Sequence, residues 1–208
     1  MQHIPHIVAG GLLALTAFWS GPALALDKCE SMWFWRNQIF HEAGACFRST
    51  LGQATFGNEG CRKGAAPTGE MARLATIIAG RERDYGCKVD TGLPTLPNVD
   101  TTLLGKVRRP PIDEGEESSC YGYRGDELAL RAAPSETAEI IATIPDSRHL
   151  RGVQWAPGTS VPGPSLAFDH VSVGGWYFLS ADEGDRTIAV GWTDSDMSWD
   201  EVCAVQAG

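Results

Sequence analysis

The sequence predicts an α+β protein, in which a small disulfide-stapled α-helical domain precedes a small β-barrel domain. Two segments of the first half carry apolar residues at helical spacing. Residues 119–208 instead contain short β-type runs separated by Gly, Pro and Asp. The chain also has six cysteines, and its 43% hydrophobic content is sufficient for a packed core.

The first 25 residues are expected to form a secretory signal peptide. Residues 7–19 are an apolar run too short to remain across a bilayer, and Ala23-Leu24-Ala25 has the pattern of a cleavage site. We therefore expect a periplasmic or secreted bacterial protein that does not insert into the membrane after cleavage. The formal net charge of −9 argues against nucleic acid as a partner.

Composition divides the rest of the chain into three segments. Residues 26–87 form the helical domain and residues 119–208 the β domain. Between them, residues 88–118 are rich in proline and end in the acidic run DEGEES. This segment is too polar to build a core, so we expect a linker or an extended strap.

The first helix is expected from about Glu30 to Ala43. Asp27 or Ser31 could cap its start, and Gly44 supplies the left-handed residue that ends it. The large apolar side chains fall on one face, except for Phe34 on the opposite side. A helix lying on a membrane surface would carry Lys or Arg on its polar face, and this helix does not. A core helix is therefore the better interpretation.

Arg36 lies at the centre of that apolar face, where a guanidinium needs a partner. A second helix, from about Gly69 to Tyr85, places Glu82 at the edge of its inner face, within possible reach of Arg36. Arg36 is then either a satisfied core arginine or an anchor for an anion or carboxylate in a cleft.

The helical segment, residues 27–87, resembles a YARHG domain. The resemblance depends on Trp33, Arg36-Asn37, Ile39, the FHEAG run at 40–44, Phe47 and Phe56. It implies an extracytoplasmic bacterial module that binds extracellular or cell-wall material.

Five short runs in the second half are expected to be strands of a small barrel. They are residues 127–131, 139–145, 148–155, 175–181 and 187–192.

This half resembles a bacterial SH3 domain. The matching motifs are LALRAAPS at 128–135, IATIP at 141–145, GWY at 175–177 and VGW at 190–192. Residues 156–174 would then be a Pro/Gly-rich insertion. The resemblance implies an SH3-like β-barrel that binds cell-wall peptides or serves as a targeting module.

Disulfides are expected because an even number of cysteines occurs in an exported chain. In the SH3-like barrel the terminal strands lie side by side, which makes a Cys120–Cys203 bond plausible. The other four cysteines would then pair within the helical segment. We expect Cys46–Cys61 across the intervening loop and Cys29–Cys87 between the ends of the segment.

Four side chains are candidates for ligand binding: Tyr123, Trp155, Trp199 and Arg36. Flat aromatic faces suit peptides and glycans, although simple barrel packing is the favoured explanation of the aromatics. We expect no catalytic residue, metal or cofactor, because His41 and Cys46 are not neighbours on a helix and no C-x-x-C pair occurs.

The sequence therefore favours a non-catalytic binding module that recognises cell-envelope material, either a cell-wall peptide or glycan or an envelope protein. The alternative is an accessory protein or inhibitor of a cell-wall hydrolase, which a protruding loop at 156–174 would favour. A structural protein of an envelope assembly is a third possibility.

Peptide mapping under non-reducing conditions tests the disulfide pairs. We expect three linked peptide pairs, which join Cys29 to Cys87, Cys46 to Cys61 and Cys120 to Cys203. A peptide that links Cys61 to Cys120 would contradict this assignment.

Overall fold

The computed structural model describes residues 26–111, 117–154, 161–184, 186–194 and 198–207. The expected signal peptide lies outside them. The helices are α1 Lys28–Glu42, α2 Thr50–Phe56, α3 Gly69–Asp84, α4 Thr101–Leu104 and α5 Trp199–Val202. The strands are β1 Glu117–Tyr123, β2 Leu128–Arg131, β3 Ile140–Ile144, β4 Ser165–Val173, β5 Trp176–Glu183, β6 Arg186–Thr193 and β7 Cys203–Ala207. Across these described ranges, no helix has the length and apolarity that a membrane crossing requires.

Local signals in the sequence explain where α1 begins and ends. The Asp27 carboxylate accepts a hydrogen bond of 2.7 Å from the backbone N–H of Glu30, so Asp27 rather than Ser31 is the N-cap. Gly44 has φ of 81°, in the left-handed region where glycine avoids strain, and the helix ends just before it. The helix therefore starts two residues before its expected position and ends one residue before it.

The helix α1 is covered on more sides than its periodicity predicts. Phe34, expected on the far side, is only 4% exposed, and its ring lies 5.3 Å from that of Phe56 in α2. Trp35 faces the sheet, where its ring meets Phe178 edge-on at 5.6 Å. Since α3 and α4 also pack on α1, neighbours surround this helix on several sides.

The segment after Cys87 is part of the core. Leu96, Leu104 and Val107 are buried among the helices. The Glu30 carboxylate accepts two hydrogen bonds of 2.9 Å from Asn98, which hold the segment against α1. Residues 88–111 therefore act as an extended strap that contributes to the core, rather than as a polar linker.

The strands form one antiparallel seven-stranded sheet in the order β3-β2-β6-β5-β4-β1-β7. This sheet has two edges and is not closed, so the SH3-like barrel is not observed. Two expectations differ from the structure. Of the strand expected at 148–155, the described residues 148–154 contain the 3₁₀ turn Arg148–Leu150 and no strand. The presumed insertion at 156–174 contains β4, which lies between β1 and β5 in the sheet. The remaining four expected runs correspond to β2, β3, β5 and β6.

Helices α1 and α4 lie against one face of the sheet and share a core with it. Trp176, Phe178, Val190 and Trp192 of the sheet belong to the same buried cluster as the side chains of α1 and α3. A second cluster, which includes Leu130 and Leu179, fills the opposite face. The two halves of the chain are therefore joined by the first of these clusters.

Three disulfides reinforce this arrangement. They join Cys29 to Cys87, Cys46 to Cys61 and Cys120 to Cys203, which are the pairs that the sequence analysis selected. All six cysteines are therefore oxidised.

Because Phe178 joins the helices to the sheet, Phe178→Ala should lower the free energy of unfolding by about 3–5 kcal/mol. We expect one cooperative transition in denaturant, with coincident circular dichroism and tryptophan fluorescence. Val205→Ala, at a position 45% exposed on β7, is the control and should change stability by less than about 0.5 kcal/mol. Separate transitions for helices and sheet in the wild type would contradict a shared core.

Candidate functional site

A cleft of about 410 Å³ opens between α1, α2 and α4. Its walls combine aromatic rings, hydroxyl groups and one pair of opposite charges. The lining residues are Phe34, Gln38, His41, Glu42, Thr55, Phe56, Thr101, Thr102, Gly105 and Arg108.

Phe56 is the centre of the aromatic wall. Its ring stacks on Phe47 at 5.1 Å and lies 5.3 Å from Phe34 and 5.5 Å from the imidazole of His41. Phe34 is buried, whereas Phe56 is half-buried and His41 is exposed. The wall thus presents apolar ring surface to the solvent side of the cleft.

The loop between α1 and α2 is braced so that Phe47 stays against Phe56. The side chain of Asn58 accepts a hydrogen bond of 2.7 Å from the Phe47 N–H and donates one of 2.8 Å to the Phe47 carbonyl. The Cys46–Cys61 disulfide joins the same two stretches of chain. The Asn58 hydrogen bonds and the disulfide together hold Phe47 in place in the aromatic wall.

Gln38 is the most unusual polar group of the cleft. The residue is 9% exposed, and its Nε2 donates to Glu42 Oε1 at 3.2 Å and to the Gly105 carbonyl at 3.4 Å. Because Glu42 Oε1 and the Gly105 carbonyl are both acceptors, the amide nitrogen of Gln38 must face them, and its Oε1 points away from them. Among the described residues nothing donates a hydrogen bond to this buried oxygen.

The rim of the cleft carries a charge pair. The Arg108 guanidinium lies 3.7 Å from Glu42 Oε1, and both side chains are substantially exposed. The hydroxyl-bearing residues Thr101 and Thr102 lie in α4, which Asp100 caps by accepting from the Thr102 N–H at 2.8 Å. The cleft is therefore rich in hydrogen-bonding groups while its two charges offset each other.

Arg36 lies outside this cleft and is paired within the protein. Its Nε donates to Glu82 Oε2 at 2.8 Å, and the two side chains are 25% and 16% exposed. The contact ties α1 to α3. Of the two roles left open for Arg36, the geometry matches the satisfied arginine.

Tyr123 is fully buried, and its hydroxyl donates to the Asp126 carbonyl at 2.7 Å. A Cβ at Gly125 would lie 2.2 Å from that hydroxyl, so only glycine fits there. Burial, and then the charge of Asp126, raise the pKa of Tyr123 to about 12. Tyr123 is thus a core residue that no ligand can reach without displacing its neighbours.

The remaining candidates, Trp155 and the Trp199 side chain, lie outside the described part of the structure. The expected aromatic groove at Trp155 and Trp199 therefore stays a prediction. The described part also contains no cluster of three or more His, Cys, Asp or Glu residues that could hold a metal ion.

Sequence reasoning missed the cleft because its two sides come from segments interpreted separately. One signal was available, since His41 and Glu42 belong to the FHEAG run of the YARHG-like motif. The other side, Thr101–Arg108, lies in the segment interpreted as a linker.

Comparison with known families divides the chain close to Cys87. The family model described as YARHG domain matches residues 12–72, which agrees with the resemblance of the helical segment. The model described as Domain of unknown function (DUF4453) matches residues 86–208, and no SH3 family matches there. No curated protein and no solved structure gives a significant match.

The buried phenol of Tyr123 gives a pH-dependent prediction. Its folded-state pKa is raised from about 10 to about 12, so its stabilising contribution is complete below pH 10. That contribution is lost as the pH rises from about 10 to about 12. In an absorbance titration of the four tyrosines, one should ionise late, near or after unfolding, and Tyr123→Phe should remove that late phase. Ionisation of all four together in the folded protein would contradict this environment.

Proposed function

Since this chain belongs to the family described as Domain of unknown function (DUF4453), we propose its role from the site itself. It is an exported, non-catalytic binding module that recognises cell-envelope material. The ligand is a cell-wall component or a protein of the envelope, and the cleft between α1, α2 and α4 is the binding site.

The observation that carries this proposal is the cleft itself, where the ring of Phe56 lies beside the hydroxyl-bearing Thr101 and Thr102 and the Glu42–Arg108 pair. Apolar ring surface next to a few polar groups is the usual make-up of a binding site. Residues 34–56 of the cleft fall in the YARHG match and residues 101–108 in the DUF4453 match. Both matched segments are therefore needed to build the site.

Three disulfides and the YARHG match are consistent with an exported protein. Disulfides persist in the periplasm and outside the cell, where glutathione does not reduce them. Residues 1–25 have the pattern of the signal that such an export route requires. Together these features support a periplasmic or secreted location.

The chemistry of the cleft supports binding rather than catalysis. Every cysteine sulfur is in a disulfide, and a disulfide sulfur is not a thiolate nucleophile. Glu42, the carboxylate of the cleft, is held between the Gln38 amide and the Arg108 guanidinium. The Glu42 oxygens can also accept hydrogen bonds from a ligand.

The accessory or inhibitor role in cell-wall hydrolysis is the second possibility. Its expected support was a protruding loop at 156–174, but Ser165–Val173 forms a strand between β1 and β5. The structure gives this role less support than it gives the binding module.

Retention on purified peptidoglycan tests the proposed function. We expect the wild type to co-sediment with the insoluble wall and Arg108→Gln to be retained several-fold less, since it loses the guanidinium at the rim. Lys106→Gln removes the same charge from an exposed position outside the cleft and is the matched control, with unchanged retention expected. Trp155→Ala/Trp199→Ala tests the aromatic groove expected from the sequence.

Absence of wild-type retention, both on peptidoglycan and on intact envelopes, would overturn the proposed function. Loss of retention only in the Trp155→Ala/Trp199→Ala protein would move the site away from the cleft.

A further inference from the structure

We propose that the cleft between α1, α2 and α4 binds a free α-amino acid head group, whose ammonium contacts Glu42 and whose carboxylate contacts Arg108. The head group belongs either to a free amino acid or to a wall peptide that carries one on a side chain. This inference rests on the proposed binding function and specifies the chemical class of its ligand.

The Glu42–Arg108 pair at the rim differs from the fully formed ion pair of the next residue. Arg109 Nη1 lies 2.8 Å from Glu70 Oε1. Arg108 Nη1 is instead 3.7 Å from Glu42 Oε1, beyond the usual length of a charge-assisted hydrogen bond, about 2.7–2.9 Å. The side chains of Arg108 and Glu42 are 64% and 43% exposed. The two opposite charges are therefore close together, while their hydrogen-bonding atoms remain available to a ligand.

Both charged side chains extend from anchored positions. The backbone N–H of Arg108 donates to the Ala132 carbonyl at 2.8 Å, and the preceding residue, Val107, is buried. On the other side of the cleft, Gln38 Nε2 donates to Glu42 Oε1 at 3.2 Å. Within the described ranges, Glu42 Oε2 and the Arg108 guanidinium form no hydrogen bond. The rim thus offers a carboxylate oxygen and a guanidinium that are positioned but not consumed by each other.

The spacing of the two charges favours a zwitterion. In an α-amino acid the ammonium nitrogen and the carboxylate carbon are both bonded to Cα, so they lie about 2.5 Å apart. This ligand dipole can lie antiparallel to the 3.7 Å contact, so that each ligand charge meets its opposite. A simple carboxylate would be repelled by Glu42, and a simple amine by Arg108. The termini of an extended dipeptide, roughly 6 Å apart, match the contact less well.

The aromatic wall provides a place for the rest of the ligand. Phe34 precedes Glu42 by eight residues in α1, a distance of about 12 Å along the helix axis. Its ring is 5.3 Å from that of the half-buried Phe56, and both rings line the cleft. An apolar chain attached to the head group would extend along α1 towards these rings. The cleft therefore favours an amino acid head group on an apolar stem.

An NMR titration of the complete exported chain, labelled with ¹⁵N, tests this assignment with three matched ligands. Norleucine, which has a straight apolar side chain, should bind at least about tenfold more tightly than N-acetylnorleucine, which lacks the ammonium. It should exceed norleucine amide, which lacks the carboxylate, by a similar factor of about ten. The backbone amide signals of Thr102 and Gly105 should shift on binding, which locates the ligand in the cleft.

Two variants assign each charge of the ligand. Glu42→Gln should bind norleucine about tenfold more weakly and lose the preference over N-acetylnorleucine. Arg108→Gln should weaken norleucine to a similar extent, about tenfold, and lose the preference over norleucine amide. A general loss of structure would not remove one preference and keep the other. Glu136→Gln and Lys106→Gln, at exposed positions outside the cleft, are the matched controls and should bind like the wild type.

The proposal is overturned if the three ligands bind equally, if neither variant weakens norleucine, or if the shifted signals lie outside the cleft. Excess norleucine should release the protein from peptidoglycan if the wall supplies the head group, whereas retention despite saturation identifies a free amino acid as its source. Retention on peptidoglycan without norleucine binding would refute the ligand class alone. Loss of retention as well would refute the binding function.

Discussion

The burial of three consecutive aromatic side chains in α1 is the constraint on which the architecture depends. Successive residues of a helix point about 100° apart, so Trp33, Phe34 and Trp35 cannot share one apolar face. Each is less than a tenth exposed. One must therefore be covered by α2, where Phe56 lies, and another by the sheet, where Phe178 lies. The helices and the sheet must therefore fold together, and the strap at residues 88–111 is required to complete the burial of these three side chains.

The position of the cleft follows from the same enclosure. Phe34, Gln38, His41 and Glu42 lie at spacings of three and four, and therefore along one side of α1. Near Phe34 this side is buried by α2 and α4, whereas towards the C-terminal end it reaches solvent. Gln38 lies at the transition between the two, and its amide nitrogen donates to the Gly105 carbonyl just after α4.

Local signals in the sequence were sufficient to predict the helices and the oxidation of the cysteines to disulfides. Asp27, Gly44 and Gly86 mark helix ends to within one or two residues, because capping is a property of neighbouring residues. The strap could not be predicted in this way, since Leu104 and Val107 are buried only through contacts with distant elements. β4 was hidden by the prolines and glycines before it, and the open sheet depends on β1 and β4 pairing across 45 residues or more. Gln38 is polar, and its burial depends on a contact with the Gly105 carbonyl, 67 residues away in the chain.

The Cys46–Cys61 bond has a consequence for how the aromatic wall of the cleft is held in place. It closes a loop of modest length, remote from the sheet. The bond adjoins Phe47, whose ring stacks on Phe56 at the border of the cleft. Without this bond, Phe47 would be held by its two hydrogen bonds to Asn58 alone. The aromatic wall of the cleft would therefore lose order when the Cys46–Cys61 pair is reduced, while the Arg36–Glu82 contact between α1 and α3 would not depend on that pair.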